Sequence, residues 1–157
     1  MEDRVETQET APLSWSAARS AKDRHAVGRS VTALLDVLAP EQTLTRAERE
    51  REHIERHRTP SGCVLQGPNA ALSVSWFADG ANETGFGEMH ILLWNGVVAR
   101  RGTKTARTGA TVLSTMILRP DESRVADGIW LGTDGTEYDV ARLADYCRTL
   151  LDKGLGG

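Results

Sequence analysis

A chain of 157 residues with a formal net charge of −3 is the size of one domain, long enough to bury a core without disulfide or metal support. Hydrophobic residues at 39% and charged residues at 26% exclude a wholly disordered chain, and no apolar run reaches the roughly 18 residues a membrane-spanning helix needs. Cys63 and Cys147 are too few for a disulfide framework, and the acidic first dozen residues lack the apolar core of a secretory signal, so the expected compartment is the cytoplasm. Abundant Ala, Arg and Gly match a GC-rich bacterial coding sequence.

Residues 1–12 carry Glu2, Asp3, Glu6 and Glu9 against Arg4, with no periodic apolar face, and read as a disordered acidic tail. A single domain is expected over 13–157. Its helical part spans 13–58 and opens with a helix from Ser14. In that helix Val27, Val31, Leu34, Leu35 and Leu38 form one stripe, which Pro40 ends. A second helix is expected from Thr45, whose spacing to Glu48 suits a capping box, through Arg58, stopping before Thr59-Pro60.

From residue 62 to 132 the apolar period becomes two, which predicts strands. Cys63–Gln66 is the first, and Gly67-Pro68-Asn69 is a turn. Residues 71–78 follow, with Leu72, Val74 and Trp76 on one face. Met89–Val98 reads either as one strand or as a hairpin about Asn95-Gly96. Strands at 110–118 and 128–132 complete the sheet, the second centred on Trp130. A C-terminal helix is expected over 136–153, with Thr136 and Asp139 in its first turn and Gly154 as its stop.

The predicted fold is α+β: an antiparallel meander of four to five strands, packed by an N-terminal helical pair and a C-terminal helix. Short connections between consecutive strands favour the meander over βαβ units. The helices at 14–38 and at the C-terminus are expected to share one sheet face.

Charge is unevenly spread. From Met89 to Pro120 there is no Asp or Glu, while Arg100, Arg101, Lys104, Arg107 and Arg119 are all basic. The loop 99–109 is therefore a candidate grip for phosphates or nucleic acid, weighed against an overall acidic balance and a solvated-loop reading. His53 and His57 would share one face of a helix, and Cys63 follows closely, a spacing that suits metal ligands. The run His53-Ile54-Glu55-Arg56-His57 departs from H-E-x-x-H, and Arg51, Arg56 and Arg58 would repel a cation, so no metal is expected. His90 lies two residues from Glu88 on one strand face, a weak candidate for a general base, beside the 79–88 loop. No cofactor motif is present in the sequence, and none is expected to bind.

No convergent catalytic set emerges. The expected function is a non-catalytic protein-interaction or regulatory module, self-associating as a homodimer or held in a larger complex, away from membranes. The alternatives are phosphate or nucleic-acid binding through loop 99–109, or a small-molecule enzyme with a pocket near His90.

Overall fold

The computed structural model describes residues 21–40, 53–78, 86–98 and 109–156. Residues 21–38 form helix α1, whose stripe of Val27, Val31, Leu34, Leu35 and Leu38 is fully buried. Seven strands follow: β1 (Glu55–Thr59), β2 (Gly62–Gln66), β3 (Ala70–Phe77), β4 (Glu88–Asn95), β5 (Thr111–Pro120), β6 (Trp130–Gly132) and β7 (Glu137–Tyr138). Helix α2 (Val140–Gly156) ends the chain's described part. The strands pair in chain order and every pair is antiparallel. The class is therefore α+β with an antiparallel meander, as expected, but with seven strands instead of four to five.

The extra strands lie where helix was expected. Residues 55–59, assigned to a second helix, are β1, paired with β2 from Glu55↔Gln66 to Thr59↔Gly62. Two local features decide this. His53 takes φ 55, a left-handed conformation that no right-handed helix through Arg58 accommodates. Pro60-Ser61 then forms a two-residue turn, with proline's fixed φ at its first central position and Gly62 just after. The arginines that resembled a solvated helix face are used elsewhere. Arg56 Nε donates to the Leu38 carbonyl at 3.0 Å. Arg58 Nη1 donates to the Ala39 carbonyl at 3.2 Å and to Asp36 at 2.9 Å. They satisfy the carboxyl end of α1, where cations complement the helix dipole. The remainder of the expected helix, 45–52, lies outside the described residues, as do the expected tail 1–12 and the expected helix start at Ser14.

The second extra strand, β7, takes Glu137 and Tyr138 from the expected C-terminal helix. Asp139 is the true start: its carboxylate accepts the Arg142 N–H at 2.8 Å and its carbonyl the Leu143 N–H at 2.9 Å. Gly154 is not a stop. It lies inside α2, where an added Cβ would come within 2.8 Å of Leu93 Cδ1, so glycine there lets the helix lie close on β4. Within Met89–Val98 there is one strand, β4, which ends at Asn95, and no hairpin. Gly96 ends it at φ 111, donating its N–H to the Asn69 carbonyl at 2.8 Å. The irregularity is on the neighbour: Leu93 pairs with Ser114 but Trp94 with Val112, so Leu113 is an extra, bulged residue of β5.

The core lies between one sheet face and the two helices. Leu72, Val74, Met89, Ile91 and Leu118 from the sheet meet Leu34 and Leu38 of α1 and Leu143 and Cys147 of α2. Trp130 is 1% exposed and packs edge-on against Trp76 at 5.3 Å.

Candidate interaction surface

Strand residues alternate faces, so burying Met89, Ile91 and Leu93 under the helices commits Glu88, His90, Leu92 and Trp94 to the opposite face. The register extends this face across the sheet. Val64 lies beside Ser73, Ser73 beside Leu92, and Leu92 beside Thr115. One row over, Gly62, Ser75, His90 and Ile117 adjoin in turn. Among the described residues no helix or strand covers this face. It mixes half-buried apolar side chains (Val64, Leu92, Trp94, Ile117, Leu131) with exposed ones: Phe77 at 49%, Val112 at 44% and Leu113 at 56%.

The polar groups on this face are paired locally. Trp94 donates its indole N–H to Ser73 Oγ at 2.9 Å. His90 Nε2 lies 2.8 Å from Glu88 Oε1, and the Phe77 ring sits 4.7 Å from the imidazole. His57 Nε2 approaches Glu55 Oε2 at 3.3 Å. The expected proximity of His90 and Glu88 on one strand face is thus found, with Ser75 as the directly opposed residue on β3. The cleft in this region, about 340 Å³, is lined by Arg119, Pro120, Asp121, Glu122, Ser123 and Leu131, not by His90 or Glu88. Beside it Arg124 bonds both Asp121, at 2.6 Å, and Glu137. With the Ser123 hydroxyl and N–H, the Arg124 guanidinium holds the Asp121 carboxyl below the usual carboxylate range.

The residues weighed as metal ligands do not converge. His57 shares the open face with Val64, whereas Cys63 points the other way into the core, and His53 precedes the strand. Among the described residues no group of three or more His, Cys, Asp or Glu is placed to hold a metal. Burial pushes the Cys63 thiol up to about 11 and the Cys147 thiol up to about 12, so both stay protonated near neutrality. Arg100, Arg101, Lys104 and Arg107 lie outside the described residues, as does most of the 79–88 loop.

At the rim near β2, Gln66 is 2% exposed and fully engaged. Its amide N–H groups donate to the carbonyls of Gly67 (2.8 Å), Ala70 (3.3 Å) and Gly96 (3.1 Å), and its carbonyl accepts the Val98 N–H at 2.8 Å. It is a tether between the β2–β3 turn and the chain leaving β4, not a site.

Sequence reasoning missed Val112, Leu113 and Phe77 as surface residues. The uncharged run Thr111–Leu118 was the available signal, but its exposure depends on how far β6 extends. Comparison with known proteins finds no family model, no curated protein and no solved structure that matches this chain. The surface must therefore be read from its own chemistry.

Proposed function

We propose that this chain is a non-catalytic protein-interaction module that engages a protein partner through the sheet face that no described helix or strand covers. One observation carries the reading: exposed Phe77, Val112 and Leu113 lie on the same face as half-buried Leu92, Trp94 and Ile117, interspersed with Ser73, Ser75, His90 and Thr115. Apolar surface grouped in this way marks association sites, whereas isolated exposed apolar residues do not. The aromatic Trp94, held in one orientation by Ser73, is the type of rigid anchor that dominates binding energy. Replacing Val112 and Leu113 together by Ser removes apolar area without touching the core. The expected result is an unchanged circular dichroism spectrum with loss of the partner recovered from native lysate by the parent chain. Equal recovery by both proteins defeats the reading.

A second reading, a small-molecule or enzymatic site, draws on the His90–Glu88 bond with Ser75 alongside. A carboxylate bonded to one imidazole nitrogen fixes the tautomer and leaves the other nitrogen as the proton acceptor, the arrangement of a general base. His90→Gln separates the two: an interaction module keeps its partner, while an enzyme keeps its fold and loses turnover. Phosphate binding through Arg100, Arg101, Lys104 and Arg107 predicts a salt-dependent affinity for polyanions, and charge reversal at these four positions should abolish it.

A further inference from the structure

We infer that Asn95 is a deamidation site that the fold holds closed: the Asn69 carbonyl and the Gln66 side chain grip Gly96, whose backbone nitrogen would attack the Asn95 side chain.

Of the three asparagines, Asn69, Asn82 and Asn95, only Asn95 precedes a glycine. A following glycine has no Cβ to obstruct the approach of its nitrogen to the asparagine side chain. In the reaction the Gly96 nitrogen yields its proton to water or hydroxide and attacks Asn95 Cγ. The N–Cγ bond forms, the Cγ–Nδ2 bond breaks, and ammonia leaves. Water then opens the five-membered imide at either carbonyl, giving aspartate or isoaspartate. One water enters and one ammonia departs, with no change of oxidation state.

The fold demands this labile pair. Gly96 takes φ 111, and an added Cβ would come within 3.2 Å of Ala110 Cα, so a larger residue is strained there on both counts. Asn95 is exposed, and among the described residues nothing bonds its side-chain amide. The attacked group therefore stands in water, and protection has to come from the attacking one. Gly96 donates its N–H to the Asn69 carbonyl at 2.8 Å. Its carbonyl accepts from Gln66 Nε2 at 3.1 Å, and Gln66 Oε1 accepts the Val98 N–H at 2.8 Å. Both polar groups of Gly96 are thus engaged. Asn95 is also paired on either side, with Ala70 of β3 and Thr111 of β5. A strand ψ of about +135° turns the next nitrogen away from the side chain, so ring closure requires that peptide to rotate. Rotation breaks the bond to Asn69 and pulls against the one to Gln66.

Conversion is irreversible and alters the sheet. No Asp or Glu lies between Met89 and Pro120, so the product is the first carboxylate in that stretch. Isoaspartate also routes the main chain through Cβ, and the extra carbon breaks register with Ala70 and Thr111. Deamidation therefore marks molecules whose β4 rim has opened.

The full-length chain is held at mildly alkaline pH, folded or in denaturing urea, and peptide mapping follows conversion at Asn95. The folded parent should convert at least roughly tenfold more slowly than the unfolded chain, because opening must precede attack. Gln66→Leu removes the grip on the Gly96 carbonyl. That variant should convert roughly fivefold faster than the folded parent while keeping its circular dichroism spectrum. If it does not fold, hydrogen exchange of the parent decides: urea below the unfolding transition should speed Gly96 N–H exchange and Asn95 conversion by the same factor. Protection by this clamp is overturned if folded and unfolded chains convert alike. It is equally overturned if folded Gln66→Leu is as slow as the parent, or if exchange and conversion do not move together.

Discussion

Trp130 spends its indole N–H on the Ser30 hydroxyl, 2.8 Å away across 100 residues of sequence. Both side chains are buried, so Ser30→Ala would strand a donor with no access to water. That change should cost about 1–3 kcal/mol, read as a lower urea midpoint with an unchanged slope. An unaltered midpoint would show that the bond contributes nothing. The two thiols make a second residue-scale prediction. Unfolded cysteines ionise near 9.0, whereas burial raises Cys63 to about 11 and Cys147 to about 12. Above pH 9 the unfolded chain releases protons that the folded chain retains, so rising pH favours unfolding. The stability held by the neutral thiols is complete below pH 9 and is lost as pH rises toward 11 and 12. Unfolding midpoints measured from pH 8 to 10.5 should fall, and the fall should be smaller when Cys147 is replaced by Ala. Thiol reagents at neutral pH should label neither cysteine until the protein unfolds.

At the scale of elements, most of the meander was legible and the two outer strands were not. β3 announced itself through period-two alternation, β2, β4, β5 and β6 as short apolar stretches bounded by turn residues, and α1 and α2 through stripes whose members are mostly buried as expected. β1 failed because its sequence, ERHRT, is polar throughout and carries no alternating apolar signal. What makes it a strand is pairing with β2 and the reach of Arg56 and Arg58 to α1, both long-range facts. β7 failed because two residues make no pattern. The candidate site was legible in part: His90 and Glu88 are adjacent as expected, but the helix that was to unite His53 with His57 is absent. Glycines at two positions test this account of the elements. An added Cβ on Gly62 would fall 1.7 Å from the Val74 carbonyl oxygen, a backbone atom that cannot yield. Gly62→Ala should force β2 away from β3 and destabilise by several kcal/mol, about the scale of the worst single substitutions. Gly28 in α1 meets nothing within 4 Å, so Gly28→Ala should stabilise by about 0.5–1 kcal/mol through helix propensity. Thermal melts of the pair should move in opposite directions. If both variants melted like the parent, the close β2–β3 approach would be wrong.

At the scale of the whole molecule, the sheet is packed by two helices on one face, while no described helix or strand covers the other, and its strands differ in how many described neighbours protect them. β3 lies between β2 and β4, and β4 between β3 and β5, and α2 packs on both, at Leu93 and Ala70 through Gly154. Their amides open only when the sheet itself opens, so they should exchange with solvent hydrogen most slowly. Among the described residues β1 and β7 each have one strand neighbour and should exchange faster, β7 fastest because two residues make a weak ladder. β5 is the informative case. Along Thr111–Ile117 its amides alternate between those directed at β4 and those directed outward, so dilute protein should show slow and fast positions in alternation. Uniform protection along β5 in dilute protein would mean that its edge is already covered within one chain.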